Sequence, residues 1–356
     1  MSEGSELVRV GVVQAAPAFL RRAESVEKAC DFIAEAGRAG VKLLGFPEGF
    51  IPAHPLWYHF FPASSRRSMS FAQRLFDNSV EVPGPETERL CDAAADAGVN
   101  VVIGICERRP DTAGTLFNTQ LFINDRGRIL GKHQKITPTL GERLVHAGGF
   151  GDGLEVHAMS VGRVSGLICG ENSNPLAAFA LAAHGTQIHV ASWPNHFAQG
   201  EHRPLELVST VSRGLAYSMG AFVLNACGTI SDEMAEELRF VDSDAVFLAD
   251  RAKGGGSIIV GPDSTVLAGP MEGTEEGILS ADIDLAQCVS AKHIHDYAGH
   301  YNRPDIFTLV VNRSTRSLVE QRVAASTQSP SPHAAKDETP VEQSSAGRPS
   351  SGELER

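Results

Sequence analysis

The stretch GLICGENSNP, residues 166–175, changes from apolar to polar at Cys169. The residues before Cys169 predict a buried strand, and Ser173 or Asn174 can cap a helix that has Pro175 in its first turn. Cys169 therefore lies at a predicted strand-to-helix elbow, where backbone N–H groups can lower a thiol pKa and stabilise developing negative charge. A buried thiol that only packs at a strand end stays the alternative.

Strand and helix patterns alternate on both sides of this elbow. Amphipathic segments of helical period predict helices, as at residues 23–38 and 205–219. A turn signal, NDRG at residues 124–127, predicts a hairpin. Short apolar runs predict buried strands, such as VRVGVV, KLLGF and VNVVIGIC, which start at residues 8, 42 and 99. This pattern predicts an α/β fold with a mixed sheet.

The chain organisation favours one large domain followed by a tail. Residues 1–313 contain no segment with the composition of an interdomain linker, so we predict a single domain there and a tail over residues 314–356. From about Ser326 the tail is rich in Ser, Pro, Glu and Ala and has no aromatic residue. Such a segment cannot bury enough apolar surface to offset chain entropy, so we predict disorder from there.

Composition restricts the partners. The chain has 356 residues and a formal net charge of −12. An acidic balance disfavours nucleic acid and anionic membranes, and no apolar run reaches the roughly 20 residues of a membrane helix. The start, MSEGSELVRV, lacks the apolar core of a secretory signal. We therefore predict a cytoplasmic protein with no nucleic-acid or membrane partner.

The other cysteines and the histidines give no metal-binding pattern. None of the six cysteines forms a CxxC pair, and five of them are predicted to pack in the interior. His293, His295 and His300 are close in sequence but lack the helical i, i+4 pair with an intervening glutamate. We predict no metal site.

Two charged residues qualify as partners of the thiol. Glu48 follows an apolar strand, where a carboxylate is costly unless it is paired or functional, and partial burial would suit it to general-base catalysis. A turn or capping glutamate is the alternative. Lys135 lies at a strand end before a proline turn; alone, it is typical of a solvated surface lysine.

Several ordered motifs together resemble the nitrilase superfamily, the carbon–nitrogen hydrolases that use a Glu-Lys-Cys triad, and its nitrilase branch in particular. The resemblance extends from about Val8 to Arg313. The motifs are FPEGFIPAHPLW (46–57), KHQKITPT (132–139) followed by GER (141–143), CGENSNPL (169–176), SWP (192–194) and GHYNRPD (299–305).

The resemblance assigns roles residue by residue. Glu48 matches the general base, Lys135 rather than Lys132 the catalytic lysine, and Cys169 the nucleophile. Glu142 matches a second glutamate close to the triad. The implied fold is a four-layer α-β-β-α sandwich with mixed sheets. The implied assembly is a homodimer or a larger spiral homo-oligomer.

The substrate side of the site is less defined by the motifs. Many nitrilases have tryptophan directly after the nucleophile, whereas this chain has Gly170, which leaves space and lets the backbone approach closely. Trp57, Tyr58 and His54 lie in or directly after the glutamate motif, and Trp193 and His196 lie at a strand end. These aromatic residues are predicted to line a cleft, with Trp57, Tyr58, Trp193 and His196 binding substrate. Packing in the shell or at a subunit interface is the alternative for them.

The resemblance implies hydrolysis of an organic nitrile to a carboxylic acid and ammonia, with water as co-substrate and without a cofactor. An amidase of the same superfamily, or a nitrile or cyanide hydratase that releases the amide, stays open as an alternative. A non-catalytic scaffold protein that kept the fold is disfavoured because Glu48, Lys135 and Cys169 are all present.

Overall fold

The computed structural model describes residues 7–110, 112–195, 204–239, 254–273 and 275–314. They belong to one compact unit, Met1–Thr315. His196 and the tail from residue 315 lie outside the described residues. The predicted disorder and the predicted boundary at residue 313 therefore stay predictions.

The described strands form two six-stranded sheets. The first sheet has the order β12-β1-β2-β3-β4-β5 and the second the order β11-β10-β9-β8-β7-β6. The strands are β1 (Val8–Gln14), β2 (Leu43–Gly45), β3 (Asn100–Arg108), β4 (Leu116–Ile123), β5 (Ile129–Gln134), β6 (His157–Met159), β7 (Gly162–Ile168), β8 (Ile188–Trp193), β9 (Phe222–Cys227), β10 (Ile258–Val260), β11 (Val266–Ala268) and β12 (Gly277–Ile283).

Both sheets are mixed, as the sequence predicts. In each sheet the three middle strands are parallel, β1-β2-β3 in one and β7-β8-β9 in the other, and the flanking strands are antiparallel. The hairpin predicted around residues 124–127 joins β4 and β5. The two sheets thus share one strand pattern.

Helices cover the outer faces of both sheets. The helices are α1 (Arg22–Arg38), α2 (Arg66–Asp77), α3 (Pro85–Ala97), α4 (Pro175–Ala183), α5 (Pro204–Met219), α6 (Asp232–Leu238) and α7 (Ala286–Ile294). The sequence patterns predict five of these but not α2 or α6. α6 spans only seven residues, too few for a clear helical period, whereas the buried positions of α2, Ser68, Phe71 and Leu75, do follow helical spacing, a signal that the sequence prediction missed.

The layers are held by separate apolar clusters. Ile33 of α1 and Leu90 of α3 pack on the first sheet, and α4 and α5 pack on the second through residues such as Leu181. Between the sheets, Val12 and Val190 belong to a third cluster. Because strand residues alternate between faces, Val12 points inward while Val13 joins the outer cluster. The implied α-β-β-α sandwich is confirmed.

Polar contacts join the two sheets at one edge. Gln120 Nε2 donates to Ser192 Oγ at 2.7 Å, and that hydroxyl donates to the carbonyl of Phe46 at 2.8 Å. The backbone N–H of Glu48 donates to the carbonyl of Trp193 at 3.1 Å. The carboxyl ends of β2 and β8 therefore meet here, at the edge where α/β sheets place their ligand sites.

Gly104 of β3 lies against the backbone that carries Glu48. A Cβ at Gly104 would be 2.2 Å from the carbonyl oxygen of Pro47 and 2.9 Å from Glu48 Cα. We expect Gly104→Ala to lower the free energy of unfolding by about 1–3 kcal/mol, since backbone atoms would have to move. Urea unfolding measures this. Gly214→Ala on α5 is the matched control: its Cβ meets no atom within 4 Å, so stability should hold or rise. Equal midpoints for Gly104→Ala and wild type would contradict the packing.

Candidate active site

The four predicted catalytic side chains converge at this edge. Glu48 follows β2, Lys135 directly follows β5, and Cys169 directly follows β7. Glu142 lies in a short 3-10 helix. Lys135, Glu142 and Cys169 line one small cavity of about 20 Å³. Because β5 is antiparallel to β4 and β4 to β3, the ends of β2, β3 and β5 share one side of the sheet.

Lys135 lies between two buried carboxylates. Its Nζ is 2.8 Å from Glu48 Oε1 and 2.7 Å from Glu142 Oε2, and all three residues are at most 2% exposed. Asn118 of β4 donates from Nδ2 to Glu48 Oε1 at 2.6 Å and to Glu142 Oε1 at 2.7 Å. The two acids are thus held together by one ammonium group and one amide.

This arrangement keeps all three groups charged. Burial alone would raise the pKa of Glu48, but Lys135 and His54 lower it below its usual range. Burial would also raise the pKa of Glu142, which hydrogen bonding and Lys135 lower. Burial would lower the pKa of Lys135, yet Glu48 and the other nearby anionic groups raise it well above its usual value. The local charge is therefore one ammonium against two carboxylates.

Cys169 occupies a constrained elbow. Its φ is +52°, a left-handed conformation that costs a non-glycine residue on the order of 1 kcal/mol and persists only when the surroundings impose it. Asn172 Nδ2 donates to the Cys169 carbonyl at 2.9 Å. Burial and Glu48 raise the pKa of the thiol, and Lys135 and a hydrogen bond from the Gly170 backbone oppose this only in part. The thiol is therefore neutral at rest and needs a base when it reacts.

Glu171 connects the cysteine elbow to the lysine strand. Its Oε2 accepts from the backbone N–H of Ile168 at 3.1 Å and lies 2.8 Å from His133 Nε2. Its Oε1 accepts from the backbone N–H of Ile136 at 2.7 Å. Ile168 precedes Cys169 and Ile136 follows Lys135 in the chain. One buried carboxylate therefore sets the spacing between nucleophile and lysine.

His54 and Tyr58 form the other wall of the cavity. His54 Nε2 is 2.9 Å from Tyr58 Oη, and His54 Nδ1 is 3.3 Å from Glu48 Oε1. Burial raises the pKa of Tyr58, so its hydroxyl stays protonated. His54 Nδ1 is close to Glu48 but has no hydrogen-bond partner among the described residues.

The predicted substrate-binding residues fall into different environments. Tyr58 lines the cavity. A Cβ at Gly170 would meet only Thr139 Oγ1, at 3.7 Å, so space is open beside the nucleophile. Trp57 stacks on Phe71 with ring centroids 5.6 Å apart, in the cluster beneath α2.

Trp193 is also an interior residue. It is 2% exposed, and its Nε1 donates to Asn225 Oδ1 at 3.0 Å. Neither tryptophan lines the cavity, so the structure places both in the packed environment that was the alternative for them. Their role in substrate binding stays a prediction, as does that of His196, outside the described residues.

Sequence reasoning did not assign a role to Asn118 or His146. Asn118 is a polar residue in the otherwise apolar start of β4, LFNTQLFI, and is 1% exposed. His146 is four residues after Glu142 and lies 3.1 Å from it. The run of three buried polar residues Asn118, Thr119 and Gln120 in an otherwise apolar strand was the available signal, but the partners of Asn118 depend on strand register.

Glu48, His54 and Glu142 also have the chemistry of metal ligands. Their ligand atoms lie within 4.8 Å of one another. However, the Lys135 ammonium already binds both carboxylates. The cation that this donor set fits is therefore the side chain of Lys135.

Residues 9–293 match the carbon-nitrogen hydrolase family. The chain belongs to this family, and it is a hydrolase that acts on carbon–nitrogen bonds. It is 39% identical to Nitrilase 2 of an unknown prokaryotic organism, over 88% of this chain and 95% of the relative. It is 37% identical to the aliphatic nitrilase of Rhodococcus rhodochrous (91% and 88% covered) and 36% identical to the arylacetonitrilase of Aspergillus kawachii (90% and 96%).

Solved structures share the fold. The carbon-nitrogen hydrolase of Helicobacter pylori G27 superimposes with a TM-score of 0.65 at 18% identity, over 84% of this chain and 97% of that one. The amidase of Nesterenkonia sp. AN1 gives 0.57 at 20% identity, over 82% and 95%. Within the described ranges, no helix has the length and apolar character to cross a membrane.

Lys135→Met should leave Glu48 and Glu142 buried without their cation. We expect a loss of about 3–5 kcal/mol in the free energy of unfolding at pH 8, the usual cost of breaking a buried ion pair on one side. Chemical denaturation measures it. Lys42→Met, which alters an exposed lysine, should leave stability nearly unchanged.

The pH dependence of the free energy of unfolding should have opposite signs in wild type and in Lys135→Met. In wild type the pKa values of Glu48 and Glu142 lie below 4.5, so their contribution is complete above about pH 4.5 and is lost on further acidification. In Lys135→Met, burial should raise these pKa values above 4.5, so stability should fall as the pH rises from 5 to 8. A variant with the wild-type pH profile would contradict the ion pairing.

Proposed function

We propose that the protein is a nitrilase that converts an organic nitrile and two waters into a carboxylic acid and ammonia. The observation that carries this proposal is the Glu48–Lys135–Glu142 group in contact with the cavity that contains Cys169. The family membership and the names of the relatives, which include an aliphatic nitrilase and arylacetonitrilases, support it.

In the first step, sulfur attacks the nitrile carbon. Glu48 Oε1 already accepts from Lys135 and Asn118, whereas Oε2 is buried without a hydrogen-bond partner among the described residues. Oε2 is therefore the atom that takes the thiol proton. Because the thiol pKa is raised and that of Glu48 is lowered, the proton leaves as the carbon–sulfur bond forms. The proton then passes to the nitrile nitrogen, which gives a thioimidate.

The later steps use the same groups. Glu48 deprotonates a water that attacks the thioimidate carbon, ammonia leaves, and a thioester remains; a second water releases the acid and restores the thiol. Lys135 and the Gly170 backbone N–H stabilise negative charge on the substrate nitrogen or oxygen. Glu142 holds Lys135 in position. The thiol supplies the nucleophile, so the scheme needs no cofactor.

Cys169→Ala should abolish hydrolysis and leave the fold intact, because it removes the nucleophile. The measurement is ammonia release from aliphatic, aryl and arylaceto nitriles, with melting temperature as the check on folding. Cys227→Ala, another buried thiol, is the control and should cost stability modestly without stopping turnover. Near-wild-type activity in Cys169→Ala would refute the assignment.

Product analysis separates this function from its neighbours. Acid plus ammonia from the nitrile supports the nitrilase. Amide as the only product would indicate a hydratase, and turnover of amides but not nitriles would indicate an amidase. If wild type hydrolysed neither nitriles nor amides, and Cys169 did not react with iodoacetamide, a non-catalytic protein would be favoured.

We also propose a homo-oligomer assembled through the helix layer of the second sheet. Leu176 of α4 and both Leu207 and Tyr217 of α5 are exposed by 62%, 46% and 50%. Exposed apolar side chains on one helical layer are typical of a subunit interface. We expect light scattering to give a dimer or larger species, and Leu207→Glu to dissociate it. A monomeric wild type would contradict the proposal.

A further inference from the structure

A chain of hydrogen bonds continues from Glu142 into the interior. His146 Nδ1 lies 3.1 Å from Glu142 Oε1, and His146 Nε2 lies 3.3 Å from Cys106 Sγ. His146 is 5% exposed and Cys106 1%. Neither residue lines the cavity, and the reaction scheme uses neither. The proposed reaction therefore does not explain this series of hydrogen bonds.

The positions of the protons follow from burial and geometry. Burial raises the pKa of the Cys106 thiol, so its sulfur keeps its proton. Burial lowers the pKa of His146, and the hydrogen bond to Glu142 opposes this only in part, so the imidazole is neutral with a single N–H. If the Cys106 S–H donates to Nε2, the ring proton is on Nδ1 and points at Glu142 Oε1. The other tautomer would direct a lone pair at the carboxylate.

The imidazole is fixed from several elements. Cys106 is on β3. Glu142 precedes His146 by four residues, on the segment that follows β5. The backbone beside His146 pairs with Leu116 of β4. Lys135 and His54 act on the ring electrostatically, and both disfavour its charged form. His146 is therefore a rigid neutral donor.

Glu142 depends on that donor. Its Oε2 binds Lys135 Nζ at 2.7 Å and the backbone N–H of Thr139 at 2.8 Å. Its Oε1 binds Asn118 at 2.7 Å and His146 at 3.1 Å. Each oxygen thus has two donors, which fixes the plane of the carboxylate. Without His146, Oε1 would keep only the amide that Glu142 shares with Glu48.

We propose that His146 is a positioning residue whose Nδ1–H fixes the Glu142 carboxylate and, through it, the direction of the Lys135 ammonium. The inference rests on the proposed function for its catalytic readout, since Lys135 acts there on the substrate nitrogen. It extends that function by placing part of the orientation of Lys135 in a side chain that never contacts the substrate. Cys106 contributes by selecting the tautomer.

The test compares two amides that place a donor differently. In His146→Asn the amide nitrogen occupies the δ position and can replace Nδ1–H, whereas in His146→Gln it lies one bond further out. We expect Asn to keep kcat within about threefold, and Gln and the donor-free His146→Leu to lose about tenfold or more, the scale of one hydrogen bond to a charged group. KM should change less than kcat, because Lys135 acts mainly in the transition state.

The pH profile separates positioning from a purely structural role. Loss of the donor should raise the pKa of Glu142, so the acid limb of kcat/KM should move to higher pH in the Gln and Leu variants and stay in place in Asn. A structural role would lower the melting temperature and the amount of active enzyme without moving this limb. Equal kcat and equal pH profiles in folded Asn and Gln variants would overturn the proposal, even if Leu failed to fold.

A second readout does not need the nitrile. The rate of Cys169 alkylation by iodoacetamide, followed by peptide mass spectrometry as a function of pH, depends on the same charged group because Lys135 and Glu142 act on the thiol. We expect its pH profile to shift in Gln and to match wild type in Asn. If wild type hydrolyses no nitrile but this pattern holds, the proposed function fails and the inference about His146 stands. If nitriles are hydrolysed and neither pH profile moves, the inference alone fails.

Discussion

The buried ammonium of Lys135 is the interaction on which the rest of the site depends. Two carboxylates cannot remain ionised side by side in the interior without a cation, because desolvation and mutual repulsion both favour protonation. Glu48 follows β2, whereas Lys135 and Glu142 both follow β5, so the ends of β2 and β5 must converge for the charges to pair. β3 and β4 lie between β2 and β5, and β4 supplies the Asn118 amide that both acids share.

Cys169, the proposed nucleophile, comes from the opposite sheet. Its burial and its anionic neighbour hold the thiol neutral, while the left-handed elbow sets its direction. Glu171 then fixes the distance between the cysteine elbow and the lysine strand through backbone N–H groups next to each. Glu171 therefore positions both residues although it has no direct part in the proposed reaction.

Much of the fold and of the candidate site could be predicted from the sequence, because the relevant signals are local. Apolar runs and helical periods predict most elements, and the motifs assign Glu48, Lys135 and Cys169. The contacts of Asn118, and that of His146 with Cys106, were not predictable, because they depend on which strands are neighbours and in what register. Trp57 and Tyr58 show a further limit: adjacent residues of one 3-10 turn point in different directions, so one packs on Phe71 and the other reaches the cavity.

The edge where the two sheets are joined has a consequence for how this molecule loses activity. The base and the lysine belong to one layer and the sulfur to the other, with Gln120, Ser192 and Glu171 among the polar ties between them. The distances between these groups therefore depend on how the two layers are positioned relative to each other. A slip of the layers by a fraction of an ångström would separate the reacting groups while every strand kept its hydrogen bonds. We therefore expect heat or denaturant to abolish activity through such a displacement before either sheet unfolds.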